Sequence, residues 1–430
     1  MKKHIMFVSL PLRGHTNQMI ALAQELVCRG YQVSFAIAEE AREWLANTGA
    51  NFIQWEPRQE TTDEGINDKN KSVWQRASQE QSIWRGEKMM LNGLIDLYVP
   101  MYKTLLAIFQ QYNPDILVID RAVIPAMDLA QQMKIPYIIQ TRFLGNFVPS
   151  SSKYPRFGTS YSVEMNIWQR LVNFLRPYLL MPHFLPVMRK LNQVRSECSN
   201  CKKIKDPFSQ RPIIVGTAFG IEIPRPLPPH VQMVGPIFPK TIEPLSPSLR
   251  KWLEEIAEVT IVYIAFGTLA TIESWQAQAL VDGLSDPKFR VLWSLPKSQQ
   301  HILPALPSSF RIEDFVPQQA VLSHPIVRAF ISHCGMNSIN EALHWEKPIL
   351  ALPFFGDQHY NAARIVDLGA ALKLNKKHFD STEVRRKMDA LLSKPNYIDA
   401  ARRMSVLFKS TGGLDRAADI VESTLTEGIS

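Results

Sequence analysis

Cysteine is scarce, with four in 430 residues at positions 28, 198, 201 and 334. Cys198 and Cys201 form a CxxC, but there is no second pair and no histidine close by in sequence, so neither a zinc site nor a redox pair is indicated. Asp-x-Asp occurs nowhere, so nothing suggests a carboxylate-held metal. Long apolar runs are also missing, and none reaches the roughly eighteen residues that a membrane-spanning helix needs. The first ten residues are basic and then apolar, like the start of an export signal. Pro11 and Arg13 end that run, so it reads as a buried strand and cytoplasmic residence is expected.

What is present describes an ordinary globular chain. Apolar residues make up 46% and charged residues 20%, and the length allows two or three domains with sizeable cores. Charge is unevenly divided. Residues 241–430 carry 20 Lys+Arg against 21 Asp+Glu, so the whole net charge of +8 arises in the first half. No nucleic-acid partner is expected.

Apolar runs suited to buried parallel strands alternate with helical spacing. Residues 4–10 form a strand, 17–29 a helix and 32–38 the next strand, so the chain opens as βαβ. A weak strand over 51–55 and a polar loop over 58–80 follow. Residues 83–112 read as a long helical region interrupted near Pro100, 116–119 as a strand ending at Asp120, and 124–133 and 136–140 as helix and strand. Residues 143–210 differ in texture, being rich in Phe, Leu, Pro and Arg without strand alternation. Strand character returns at 213–216 and 231–234. Four prolines in 235–248 mark a linker, and a second alternating series begins at 261–266, entering Gly267-Thr268. The boundaries expected are an N-terminal domain over 1–235, a linker over 236–248, a C-terminal domain over 249–410, and a last helical piece over 411–430 packing back on the N-terminal domain.

The densest chemistry lies in 315–374. Two apolar strands, 327–332 and 349–352, each run into a polar turn and then a helix. Such units aim a helix N-terminus, with unpaired amides and partial positive charge, at the C-terminal edge of the sheet, where anions bind. His333, Gly335, Asn337 and Ser338 crowd the first turn, and Glu341 follows one helical turn after Asn337. Asp357 and Gln358 follow the second strand. Small donors suit phosphate, a carboxylate suits a ribose diol, and an acid beside an amide suits sugar hydroxyls.

The segments FVPQQAVLSH, HCGMNSINEAL and PFFGDQHYNA, at this spacing, resemble the signature block of the UDP-sugar-dependent glycosyltransferase superfamily, glycosyltransferase family 1. PLRGHTNQMIALAQEL near the start and PDILVIDRAVIPAMDLAQQMKIPYI resemble its opening motif and its strand-end acid. Phe315 and Met336 stand where many plant members carry Trp, and Gln18 where relatives often carry Pro. The resemblance implies the GT-B architecture, two facing doubly wound α/β domains with an interdomain cleft. It implies that Phe315 stacks on the base beside Val316, that Gln318 holds the nucleoside and that Glu341 takes the ribose hydroxyls. It further implies that Gly267, Thr268, His333, Gly335, Asn337 and Ser338 receive the diphosphate, and that Asp357 and Gln358 bind the sugar. His15 would be the base and Asp120 its partner. The expected reaction is metal-independent, inverting transfer of a hexose, glucose by preference, from UDP-glucose to a lipophilic hydroxyl. No cofactor is implied beyond the nucleotide sugar as co-substrate. A silent nucleotide-sugar-binding protein and a GT-B-type epimerase or hydrolase remain as alternatives.

One segment raises a further question. Residues 165–205 hold eight Lys+Arg and one acid among many aromatic and aliphatic residues. Arg170, Arg176, Arg189, Lys190 and Arg195 interleave with Trp168, Phe174 and Tyr178, and Lys202, Lys203 and Lys205 follow. A basic amphipathic segment of this kind binds an anionic bilayer surface. The same apolar content would equally line an acceptor pocket. Pro177, Pro182 and Pro186 are expected to prevent one long helix, leaving short helices and loops.

Overall fold

A computed structural model of the chain describes residues 2–55, 80, 83–145, 148, 151–199, 206–255 and 259–427. The polar loop expected over 58–80 lies almost wholly outside these, as do Cys201, Lys202, Lys203 and Lys205. The strands are β1 (His4–Val8), β2 (Gln32–Ile37), β3 (Asn51–Gln54), β4 (Ile116–Asp120), β5 (Tyr137–Thr141), β6 (Ile213–Val215) and β7 (Val231–Met233) in the first half. In the second half they are β8 (Thr260–Ala265), β9 (Phe289–Ser294), β10 (Phe310–Glu313), β11 (Val327–Ser332), β12 (Ile349–Ala351) and β13 (Ala371–Lys373). They form two all-parallel sheets, ordered β3-β2-β1-β4-β5-β6-β7 and β10-β9-β8-β11-β12-β13. This is the two-domain architecture expected.

Both sheets are buried on both faces, which is why their strands read as continuous apolar runs. Along β1, Met6 and Val8 enter the core on one side while Ile5 and Phe7 enter the other. Along β8, Ile261 and Tyr263 face one core, and Val262 and Ile264 the opposite one. Strand order reverses between β1 and β4 in the first sheet and between β8 and β11 in the second. At such a switch point the connections diverge and leave a crevice beyond the strand ends. Residues 9–15 and 121 leave one crevice edge; Gly267, Thr268 and the turn after Ser332 leave the other.

Several elements depart from the pattern. The first helix spans Arg13–Cys28, so His15 lies inside its first turn, where its N–H reaches Leu12 O at 2.7 Å. The region 83–112 is two helices, Ile83–Asp96 and Tyr98–Tyr112. Pro100 has no N–H for the carbonyl of Asp96, and the helix breaks there. The expectation of short helices around the three later prolines is wrong, because Ile167–Ser199 is one helix containing Pro177, Pro182 and Pro186. The carbonyl that Pro177 would orphan, Asn173 O, accepts from Arg156 Nε at 3.0 Å. Those opposite Pro182 and Pro186 belong to exposed Tyr178 and Pro182, where water can serve. The last helix, Gly413–Glu427, packs Leu414, Ala417, Ala418 and Val421 into the core beneath β1. Arg29 ties it down through Asp419 and Glu422, each at 2.7 Å.

Candidate active site

The acidic end of β4 meets the first turn of the first helix. His15 Nδ1 lies 2.7 Å from Asp120 Oδ2, although 105 residues separate them. Asp120 is 2% exposed, and its second oxygen accepts from the Ala122 N–H at 3.1 Å. Burial alone would raise this carboxyl. The contact with His15, the amide and nearby Arg142 outweigh it, and the group sits below its ordinary range.

His15 has a second partner. Arg142 donates from Nη2 to His15 Nε2 at 3.1 Å. Arginine has donors only, so Nε2 must be the accepting nitrogen and Nδ1 carries the proton given to Asp120. The tautomer is thereby fixed with a lone pair on Nε2. Burial lowers the imidazole pKa; Asp120 opposes that, and Arg142 and Arg121 reinforce it, so the ring rests neutral at pH 7. A neutral, oriented imidazole beside a buried carboxylate can take a proton from a hydroxyl.

The opposite wall is built on the second sheet's switch point. The helix Met336–His344 begins three residues before Ile339, where a turn over 333–338 would have it start, which puts Asn337 and Ser338 in its first turn. Cys334 adopts φ +66° and Gly267 φ +72°, and His333 Nε2 is wedged between Gly267 and Gly335. A Cβ would come within 2.9 Å of that nitrogen at Gly267 and 2.6 Å at Gly335, so both positions require glycine. Burial drives the His333 pKa down to about 4, and its Nδ1 is buried without a partner. The ring is therefore neutral in the unliganded protein, and its one proton is drawn to the Ala265 backbone. The first-turn amides of the helix are the groups that an incoming anion would meet.

Behind this turn Gln318 donates to Glu341 Oε2 at 2.6 Å and to Ser338 Oγ at 3.2 Å. Burial pushes Glu341 up to about 7, with Gln318 pulling the other way. Phe315 is 64% exposed at the rim, as an open stacking platform must be, while Val316 is buried beneath it. Thr268 is exposed at the strand end. Gln358 is buried, its Oε1 accepting from the amides of Phe354 and Phe355 at 2.9 and 3.1 Å. That leaves its NH2 as a donor. Asp357 Oδ2 accepts from Asn361 at 2.8 Å. Among the described residues no group of three His, Cys, Asp or Glu is placed to hold a metal.

A family model described as UDP-glucoronosyl and UDP-glucosyl transferase matches residues 9–425. The chain belongs to this family. It is 31% identical over 366 residues to UDP-glycosyltransferase 1 of Phaeomoniella chlamydospora, covering 80% of this chain and 75% of that one. It is 26% identical over 422 residues to UDP-glucuronosyltransferase 2B9 of Macaca fascicularis, covering 91% and 78%. Among solved structures, the glycotransferase of kitacinnamycin superposes with TM-score 0.72 at 20% identity over 98% of both chains. The glycosyltransferase VinC in complex with DTDP superposes with TM-score 0.67 at 16% identity over 99% of this chain and 100% of that one. These structures share the fold. The protein is a glycosyltransferase that uses a UDP-sugar.

Within this glycosyltransferase the two halves are joined by side chains that sequence reasoning passed over. Asn337, expected at the diphosphate, spends its amide across the cleft, donating to Gly14 O at 3.1 Å and accepting from Gln18 at 3.2 Å. Its backbone N–H remains the group available to a phosphate. Gln18 also donates to Gly216 O at 3.1 Å and accepts from Gln140 at 2.8 Å. A Cβ on Gly216 would fall 1.8 Å from Gln18 Oε1, so only glycine fits there. Gln18 was noticed only as a departure from the family's Pro. Arg142 and Arg121 carried no signal, since a single arginine after a strand has no periodicity to betray it.

Proposed function

We propose that this glycosyltransferase moves glucose from UDP-glucose, with inversion and without metal, to a hydroxyl of a lipophilic small molecule. The observation that carries the reading is the His15–Asp120 contact at 2.7 Å, facing the Met336–His344 helix across the cleft. The acceptor O–H gives its proton to His15 Nε2 while its oxygen attacks the anomeric carbon. The bond from that carbon to the phosphate oxygen breaks, and UDP leaves with the electron pair. Attack in line with the leaving group inverts the anomeric centre. Asp120 holds the imidazolium that forms. The first-turn amides of the Met336–His344 helix take the developing diphosphate charge. Phe315 stacks on the uracil, Glu341 takes the ribose diol, and Asp357 with Gln358 holds the sugar hydroxyls.

The test is product formation from UDP-glucose and a panel of phenols and sterols in excess EDTA, followed by mass shift. Transfer is expected to be unchanged by the chelator, because the phosphate site consists of amides and neutral donors. Loss of transfer, restored by magnesium, would refute metal independence. Release of free glucose without glycoside would favour a hydrolase.

The lipophilic character of the acceptor is supported by the helix Ile167–Ser199. Val187 and Leu191 enter the core, but many apolar residues nearer its start face outward rather than lining a pocket. Ile167 is 79% exposed, Trp168 72%, Tyr178 63% and Leu179 61%, with Phe174 and Met181 also open. The basic residues are largely committed elsewhere. Arg195 forms a buried bidentate pair with Asp128 at 2.7 and 2.8 Å, and Lys190 reaches Asp96 at 2.7 Å. This face is placed against a bilayer surface, held by apolar insertion rather than by the charge attraction first expected. No helix among the described residues is long and apolar enough to cross a membrane, so the contact is peripheral. Vesicles of neutral phosphatidylcholine are expected to pull the protein down even at high salt. Trp168→Ser with Leu179→Ser should release it. Equal recovery in the supernatant with and without vesicles would end this reading, as would a lipid-free dimer that those two substitutions dissolve.

A further inference from the structure

Arg121 and Arg142 are the first residues after β4 and β5, so both leave the sheet edge beside Asp120 and enter the cleft. Their guanidinium carbons lie 4.4 and 5.8 Å from the centroid of one ring, Phe143. That ring stacks on Phe157 at 4.8 Å, which in turn meets Tyr360 of the C-terminal half at 5.2 Å. Arg142 thus links the nitrogen assigned as base to a run of aromatic rings, with Arg121 on the same Phe143 ring. Arg142 comes this near only because residue 14 is glycine, where a Cβ would lie 2.8 Å from Arg142 Nη1.

Two of the neighbouring acids are already engaged, and the third, Glu87, faces Arg176 and Arg121. Asp120 holds His15 and the Ala122 amide, and Asp357 accepts from Asn361. Glu87 and Arg176 close on the same side of Gly158, each 3.2 Å from where its Cβ would sit. Among the described residues, the one hydrogen-bond acceptor given to Arg142 is the neutral imidazole. Burial and the adjacent Arg142 push Arg121 down to about 10, while Asp120, Asp357 and Glu87 oppose that shift, so the acids of this wall face Arg121 and leave Arg142 on the imidazole.

His15 Nε2 cannot serve both Arg142 and an acceptor hydroxyl. When the hydroxyl arrives, the guanidinium must leave, and a wholly neutral acceptor would strand it among aromatic rings beside a second cation. We propose that Arg142, with Arg121 beside it, binds a carboxylate carried by the acceptor, so that the preferred substrates are hydroxylated acids with an apolar body. The carboxylate replaces the imidazole as the partner of Arg142 in a bidentate, charge-assisted contact. Binding therefore uncovers the base in the same motion that seats the hydroxyl on it. This names a substrate class for the reaction above and rests on His15 as its base.

Matched acceptors test it: 4-hydroxybenzoate and 3-hydroxydecanoate, each against its methyl ester. Two measurements are made on the wild type, Arg142→Gln and Arg121→Gln. One is kcat/KM with saturating UDP-glucose; the other is acceptor affinity by calorimetry with UDP bound, which reads binding whether or not turnover occurs. The wild type is expected to favour acid over ester at least tenfold in both. Arg142→Gln should cut that ratio at least tenfold, chiefly through KM for the acid. Because both acceptors share the same enzyme, the ratio cancels general damage to the site. Equal losses for acid and ester, or a wild type that favours esters, would overturn the proposal. A fall in UDP affinity in Arg142→Gln would instead assign the arginine to the leaving diphosphate. His15→Ala separates the two readings. If it keeps turnover, the base assignment fails, while the acid-to-ester affinity ratio still decides the role of Arg142.

Discussion

His15→Ala is expected to lower turnover by about 10²–10⁴-fold, the usual worth of a positioned base, while UDP affinity stays within about twofold. The proposed base lies at the first sheet's switch point and the proposed nucleotide site at the second, so removing the imidazole should delete a proton acceptor without touching a nucleotide contact. Asp120→Asn should act in the same direction and less severely, because an amide can still orient the ring but cannot stabilise its charged form. The wild-type pH profile carries a second check. Burial and Arg142 place the His15 pKa below 6.5, and the ring works when unprotonated. The rate should therefore be level near neutrality and fall only as pH drops below that value. A plateau that begins above pH 7, or a collapse of UDP affinity in His15→Ala, would show that His15 is not the base.

The other large effect is at Glu341. A carboxylate accepting two ribose hydroxyls makes charge-assisted bonds, each of order 1.5–3 kcal/mol, so Glu341→Ala, which loses both, should weaken UDP binding by at least about a hundredfold. The pH dependence has a definite sign. Burial raises Glu341 to about 7, so near neutrality the unliganded carboxyl is partly protonated. Ribose hydroxyls donate to the ionised form, and protons therefore compete with the nucleotide. Affinity should fall as pH drops from 8 to 6, approaching tenfold per pH unit below the pKa. In Glu341→Gln that slope should vanish. His333, held near 4, begins to titrate only at the bottom of this range, and subtracting the Glu341→Gln curve removes its part. Isothermal titration with UDP at several pH values measures both. An unaltered dissociation constant in Glu341→Ala would remove the ribose assignment.

Strand-forming runs were legible because a parallel sheet covered on both faces demands continuous apolar residues, and β1 and β8 show that demand directly. The donor wall was legible for a related reason. His333, Asn337, Ser338 and Glu341 fall within nine residues on one strand–turn–helix unit, so local geometry alone gathers them. Helix starts were less legible. Asn337 and His15 were expected in turns and lie in first helical turns, because their side chains bond to distant groups of the fold and leave no local sign of where the helix starts. The helix runs through Pro177 with Arg156 Nε donating to Asn173 O, and the position of Arg156 before the helix gives no hint of that contact.

What the sequence determined by itself was two series of alternating strands and helices and the residue types at their strand ends, which follow from periodicity and near-neighbour spacing; the pair of doubly wound domains was what the family resemblance implied. Only the tertiary structure decided how those residues are used. It turned Asn337 from the phosphate toward Gly14 and Gln18, neutralised His333 by burial, committed Arg195 to Asp128, and set Arg142 on His15 Nε2. Each outcome depends on groups more than 60 residues apart or on exclusion of water. Hydrogen-bond partners and proton affinities are properties of the assembled site, where distance along the chain no longer measures distance in space.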